Sequence, residues 1–149
     1  MTSAWDKFQR LMREKMREIY SETYIDHNLD PKNVGSIENA DGHAEVNGTC
    51  GDMMEMWLKV DGDIIVDAGF TTTGCGAMVA SGSLVTEIVK GKTLSEAQQI
   101  EQQDILDTFG GLPEENQNCA LIAADTLKAA IRDCLQFQRE PWKKLYKKH

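Results

Sequence analysis

No stretch of this chain approaches the roughly 18 consecutive apolar residues of a membrane span. The first residues, charged from Asp6 onward, show no apolar leader segment. Aromatic residues are scarce, at 7% of 149 residues against 41% hydrophobic residues in all. That suits one modest core, so a single domain over residues 1–149 is expected. Internal repeats and low-complexity tracts are missing. Positive charge is also short: the net charge is −8, and the one basic cluster is the tail 139–149, with Lys143, Lys144, Lys147 and Lys148. A chain of that balance is not built to hold nucleic acid. The expectation is a cytoplasmic protein with neither nucleic acid nor membrane as partner. Thiols stay reduced in that compartment, so the four cysteines read as metal ligands, reactive thiols or core residues, and not as a disulfide framework. No Cys-x-x-Cys pair is present, so the compact ligand pairs of ordinary zinc modules are excluded.

What is present divides into helix, sheet and helices, which predicts an α+β fold. Trp5, Phe8, Met12, Met16 and Ile19 recur at spacings of three and four, predicting one amphipathic helix from Trp5 to about Tyr24. His27 to Gly35, with Pro31, reads as an irregular connection. A weak strand is expected over Ala44–Asn47. Met54, Met56, Leu58 and Val60 alternate with Glu55, Trp57 and Lys59, which is strand periodicity. Asp61-Gly62 signals a hairpin, and the returning strand, Ile64 to Thr72, is expected to bury Ile64, Val66, Ala68 and Phe70. A helix over Gly76–Lys90 stops at Gly91. Thr93 and Glu96 form a capping box for a short helix. Asp104–Phe109 is another short turn before Gly110-Gly111. Pro113 opens a long last helix to about Gln138, with Ile122, Ala123, Leu127, Ala130, Ile131 and Cys134 on its core face.

Three cysteines sit where functional groups concentrate. Cys50 lies in a Gly-Thr-Cys-Gly-Asp loop entering a strand, Cys75 between a strand and a helix with glycine on each side, and Cys119 in the first turns of the last helix. Helix starts carry partial positive charge and unpaired N–H groups, which favour a thiolate. Flanking glycines let backbone amides approach a bulky inorganic group. Against this stands the ordinary role of a buried cysteine as a small core residue. Cys134 fits that role. It lies on the apolar face, 15 residues beyond Cys119, or roughly 22 Å along a helix.

These motifs resemble those of the iron–sulfur cluster assembly scaffold family, of IscU and NifU N-terminal type. Thr49-Cys-Gly-Asp-Met-Met54 is similar to the family's first cysteine motif. Phe70-Thr-Thr-Thr-Gly-Cys-Gly-Ala77, with Ala80-Ser-Gly-Ser-Leu84, is similar to its second, and Asn118-Cys-Ala-Leu-Ile-Ala-Ala-Asp125 to its third. Asn33-Val-Gly35, Lys90-Gly-Lys-Thr-Leu94 and Lys128-Ala-Ala-Ile131 match as well, so the likeness spans about residues 16 to 138. It implies a three-stranded antiparallel sheet, with an N-terminal helix and several C-terminal helices packed on one side. It implies that Cys50, Cys75 and Cys119 meet at one exposed tip, with Asp52 beside them keeping the cargo labile. There a [2Fe–2S] cluster would be built from iron and the persulfide sulfur of a cysteine desulfurase, then passed to recipient apoproteins. The chain would be a scaffold and not an enzyme, with homodimer formation left open. Two departures stand out. Asn118 occupies the place of a histidine common in the family, and an amide is a poor iron ligand. Leu112-Pro113 is followed by Glu114-Glu115-Asn116 instead of the proline, valine and lysine that mark users of an Hsp70-type chaperone.

Two rival functions are weighed beside this. Three thiolates with Asp52 also make a four-ligand zinc site, so a zinc-binding sulfur acceptor is the alternative, and zinc can fill such a site without iron. A cysteine-nucleophile enzyme needs a base near a thiol, yet no histidine neighbours the three cysteines in sequence. His27 and His43 are read as solvated or capping residues, and His149 as part of the tail. Met53, Met54 and Met56 are read as packing residues and not soft-metal ligands.

Overall fold

The computed structural model describes residues 3–48 and 51–139. In chain order the elements are α1 (Ala4–Met16), α2 (Glu22–Leu29), β1 (Gly42–Asn47), β2 (Met53–Asp61), β3 (Ile64–Thr72), α3 (Gly76–Val89), α4 (Leu94–Ala97), α5 (Gln102–Thr108) and α6 (Glu114–Arg139). The fold is α+β, as the pattern of periods predicts. The strands form one antiparallel sheet in the order β1-β2-β3.

Met54, Met56 and Leu58 of β2 lie opposite Val46, Ala44 and Gly42 of β1, and opposite Thr72, Phe70 and Ala68 of β3. Residues directly opposite share a face. The three β2 side chains are wholly buried, and each such burial contributes about 1.5–3 kcal/mol. α6 covers this face along β1 and β2, and α3 covers it along β3. Close approach depends on small residues. A Cβ on Gly42 would lie 2.2 Å from Cys134 Sγ and 2.5 Å from the Ala130 carbonyl oxygen of α6. One on Gly82 of α3 would lie 2.5 Å from the Phe70 ring. The expected core residues of α6, from Ile122 to Cys134, are all buried.

Five expectations need correction. The first helix does not continue to Tyr24. It ends at Met16, and Ser21 starts α2 by accepting the Tyr24 N–H on its hydroxyl at 3.2 Å. The irregular connection therefore begins after Leu29, not at His27. The buried face of β3 also shifts phase. Lys59 pairs with Asp67 but Val60 with Ile65, so Val66 is an extra residue, a bulge. The bulge turns Ile65 inward, while Ile64 and Val66 are exposed; Ala68 and Phe70 are buried as expected. His43 lies in β1 instead of a turn, its ring tilted against Trp57 at 5.2 Å and bonded through Nε2 to Glu55 Oε2 at 2.7 Å. His27 is not solvated. It is 8% exposed, with Nδ1 2.6 Å from Ser83 Oγ. Among the described residues no helix is long and apolar enough to cross a membrane.

Candidate functional site

Cys75 follows the Thr72-Thr73-Gly74 turn and is the N-cap of α3, in extended conformation, where its side chain makes no capping hydrogen bond. The turn is laced to the start of β2. Thr72 Oγ1 donates to the Met53 carbonyl at 2.7 Å, the Thr73 N–H donates to the same oxygen at 3.0 Å, and the Met53 N–H donates to Thr73 Oγ1 at 3.1 Å. Gly74 admits the side chain of Met78, whose Cγ would lie 2.4 Å from a Cβ at position 74. The Cys75 turn is thus fixed to the residue next to Asp52.

Cys119 lies in α6, whose first turn follows Pro113. Its Sγ is 3.9 Å from Cys75 Sγ. Cys75 is exposed, whereas Cys119 is 8% exposed. Two thiolates on one tetrahedral metal, each bound at about 2.3 Å, are about 3.8 Å apart. The pair therefore already stands at the spacing that a single ion would impose. Burial pushes the Cys119 thiol up to about 12, and the neighbouring Cys75 and the Asp52 carboxylate add to the rise. Two thiolates this close repel unless a cation is shared between them.

Cys50 lies outside the described residues. The Gly48 N–H donates to the Asp52 carbonyl at 2.7 Å, and Gly51 has φ +83°, a conformation that favours glycine. A Cβ on Gly48 would lie 2.7 Å from Ile122 Cδ1, so Gly48 lies against α6 three residues past Cys119. Asp52 is half-buried and close enough to bear on Cys119. Even so, among the described residues no three His, Cys, Asp or Glu side chains form a metal-ligand group. Asn118 is exposed on the first turns of α6. Cys134 is buried against Gly42 of β1, in the same helix but 15 residues further on. The tail beyond Arg139 lies outside the described residues.

The residue patterns alone missed the aromatic and polar surroundings of the pair. Tyr24 of α2 is buried, stacked on Tyr20 at 4.2 Å and edge-on to Phe109 at 5.2 Å. Its phenol is raised above the usual range, chiefly by burial and then by Tyr20, with Cys75 and Cys119 adding to it. The signal that finds this helix is the Ser21 cap, three residues ahead of Tyr24.

Residues 19–140 match the family model described as the NifU-like N-terminal domain. The chain is 50% identical over 119 residues to the iron-sulfur cluster assembly scaffold protein IscU of Escherichia coli (strain K12), covering 76% of this chain and 92% of that one. It is 44% identical over 116 residues to the iron-sulfur cluster assembly scaffold protein IscU 1 of Archaeoglobus fulgidus, covering 77% and 76%. In fold it is similar to the crystal structure of a nitrogen-fixing NifU-like protein (N-terminal) from Brucella abortus, with a TM-score of 0.63 at 19% identity over 81% of this chain and 97% of that one. The chain belongs to the NifU-like N-terminal domain family, together with these IscU scaffold proteins.

Proposed function

We propose that this chain is a cytoplasmic scaffold domain on which a [2Fe–2S] cluster is put together from iron and desulfurase-derived sulfur, and from which the cluster passes to recipient apoproteins. The observation that carries the reading is the 3.9 Å separation of Cys75 and Cys119 Sγ at the starts of two helices, which matches two thiolates on one metal. Cys50 is the third ligand in this reading, and Gly48, two residues ahead of it, lies against Ile122 of α6. Asp52 supplies a weak oxygen ligand, or a negative charge close by, which suits a cargo that must leave. Asn118 takes no part as a ligand.

The cluster is cargo, and the chain's own work is to hold and release it. Sulfur arrives when a cysteine thiolate at the tip attacks the outer sulfur of a partner persulfide. The new S–S bond forms as the partner's S–S bond breaks, and the partner cysteine leaves as thiolate. The partner in this reading is a cysteine desulfurase. It docks at the cysteine-bearing end and along α1, whose Trp5, Phe8 and Leu11 are exposed. Mass spectrometry of the chain after incubation with a desulfurase and cysteine tests this step. Added sulfur on Cys50, Cys75 or Cys119 is expected, and its absence from all three contradicts the reading. The same thiolates and Asp52 suit zinc when iron is absent, but a zinc site is colourless and carries no sulfide.

A further inference from the structure

Tyr20, Tyr24 and Asn28 are spaced four residues apart, Tyr20 just ahead of α2 and the other two on it. Side chains at that spacing share one helix face. This face reaches the N-terminal ends of both cysteine-bearing helices. Tyr20 stacks on Tyr24, and its hydroxyl accepts a hydrogen bond from Asn116 Nδ2 at 3.1 Å, three residues ahead of Cys119. Asn28 reaches the other helix. A Cβ on Gly76, the residue after Cys75, would lie 2.3 Å from Asn28 Nδ2, so a side chain at position 76 would displace the amide. Between the two contacts Tyr24 is 2% exposed and pinned by the Phe109 ring.

Nothing within the first turn of α3 does this job, because Cys75 sits at its N-cap without a side-chain capping bond. The start of α3 is held from outside, by the Thr72–Met53 lacing on one side and by Asn28 on the other. We propose that Tyr24 and Asn28 are positioning residues for the cysteine pair, tying the first turns of α3 and α6 to one face of α2 and so setting the Cys75–Cys119 separation. The phenol of Tyr24 lies within electrostatic reach of both thiols, which agrees with that placement. The inference deepens the scaffold reading and rests on it for its purpose, but one arm of its test needs no metal.

The test uses Tyr24→Leu, which removes the ring stacked on Tyr20, and Asn28→Leu, which removes the amide beside Gly76. The metal-free arm is run with Cys50→Ser and Cys134→Ala, leaving Cys75 and Cys119, and a dithiol-bridging bimane that fluoresces once both thiols are joined. Bridging should slow about tenfold in each variant, while alkylation of exposed Cys75 by a single-thiol reagent keeps its rate. In the second arm, Co2+ is titrated into chains with all four cysteines. Each variant should bind about tenfold or more weakly, as loss of a supporting contact to a metal ligand does, with shifted thiolate-to-cobalt absorption bands. Thermal unfolding checks that each variant is folded, and Asn116→Ala, on a half-exposed residue, serves as the milder cut if either one is not. Bridging rates within twofold of the parent in folded variants overturn the proposal. Slowed bridging in a chain whose unmodified form binds no Co2+ upholds the positioning role and sinks the scaffold reading instead.

Discussion

At Cys119, burial and the neighbouring thiol act in the same direction, holding the proton on sulfur up to about 12. A metal that takes this ligand must expel that proton, so its affinity rises with pH. In Zn2+ competition titrations from about pH 6.5 to 8.5, affinity should climb about tenfold per pH unit for Cys119 alone. A flat profile contradicts ligation by this thiol. His27 gives a pH dependence of stability instead. The Lys32 N–H donates to Ser83 Oγ at 2.8 Å, and the same oxygen is hydrogen-bonded to His27 Nδ1 at 2.6 Å. Burial, helped by Lys32, lowers the His27 pKa, with Asp26 and Glu87 opposing. The unfolded chain therefore binds a proton that the folded chain refuses, and stability falls as pH drops through about 6.5. The urea midpoint should drop between pH 7.5 and 5.5, and His27→Gln should flatten the His27 part of that drop.

Elements were legible where a period ran unbroken and obscure where a local device interrupted it. The core face of α6 was readable from Ile122 to Cys134 because nothing breaks its 3.6-residue period. β3 was half readable: alternation holds at Ala68 and Phe70, and the Val66 bulge reverses it at Ile64 and Ile65. A bulge is settled by pairing with the partner strand, which no count along one strand reveals. The split between α1 and α2 was hidden for a similar reason. Apolar residues continue through Ile19 and Tyr20, and only the Ser21 side chain marks the new start. At the site, Cys75 stands out through its glycine neighbours, Cys119 through its place in the first turns of the last helix, and Asp52 through the family likeness. The α2 side chains under them belong to a segment far away in sequence. The bulge makes a prediction opposite to simple alternation: Ile65→Ala should cost about 2–5 kcal/mol, and Val66→Ala less than about 0.5 kcal/mol, by urea unfolding. Gly42→Ala should destabilise by about 1–3 kcal/mol, because the Ala130 carbonyl in its way is backbone and cannot swing aside.

Across the whole molecule, the sheet and α6 act as a frame that holds the starts of α3 and α6 with Cys75 and Cys119 close together. Cys134, fixed between α6 and Gly42, belongs to that frame and not to the site. In the proposed scaffold, Cys50, Cys75 and Cys119 hold cargo and Cys134 holds the fold. Anaerobic reconstitution with ferrous iron, cysteine, a desulfurase and dithiothreitol to reduce persulfide sulfur to sulfide, read by visible absorption and by iron and acid-labile sulfide counts, tests this most directly when run on Ala variants of each cysteine. The unaltered chain and Cys134→Ala should develop the same visible bands with iron and sulfide in about equal amounts, whereas Cys50→Ala, Cys75→Ala and Cys119→Ala should each lose most of the colour and sulfide. A chain that stays colourless without sulfide, or a folded Cys134→Ala that alone loses its colour, would contradict the account.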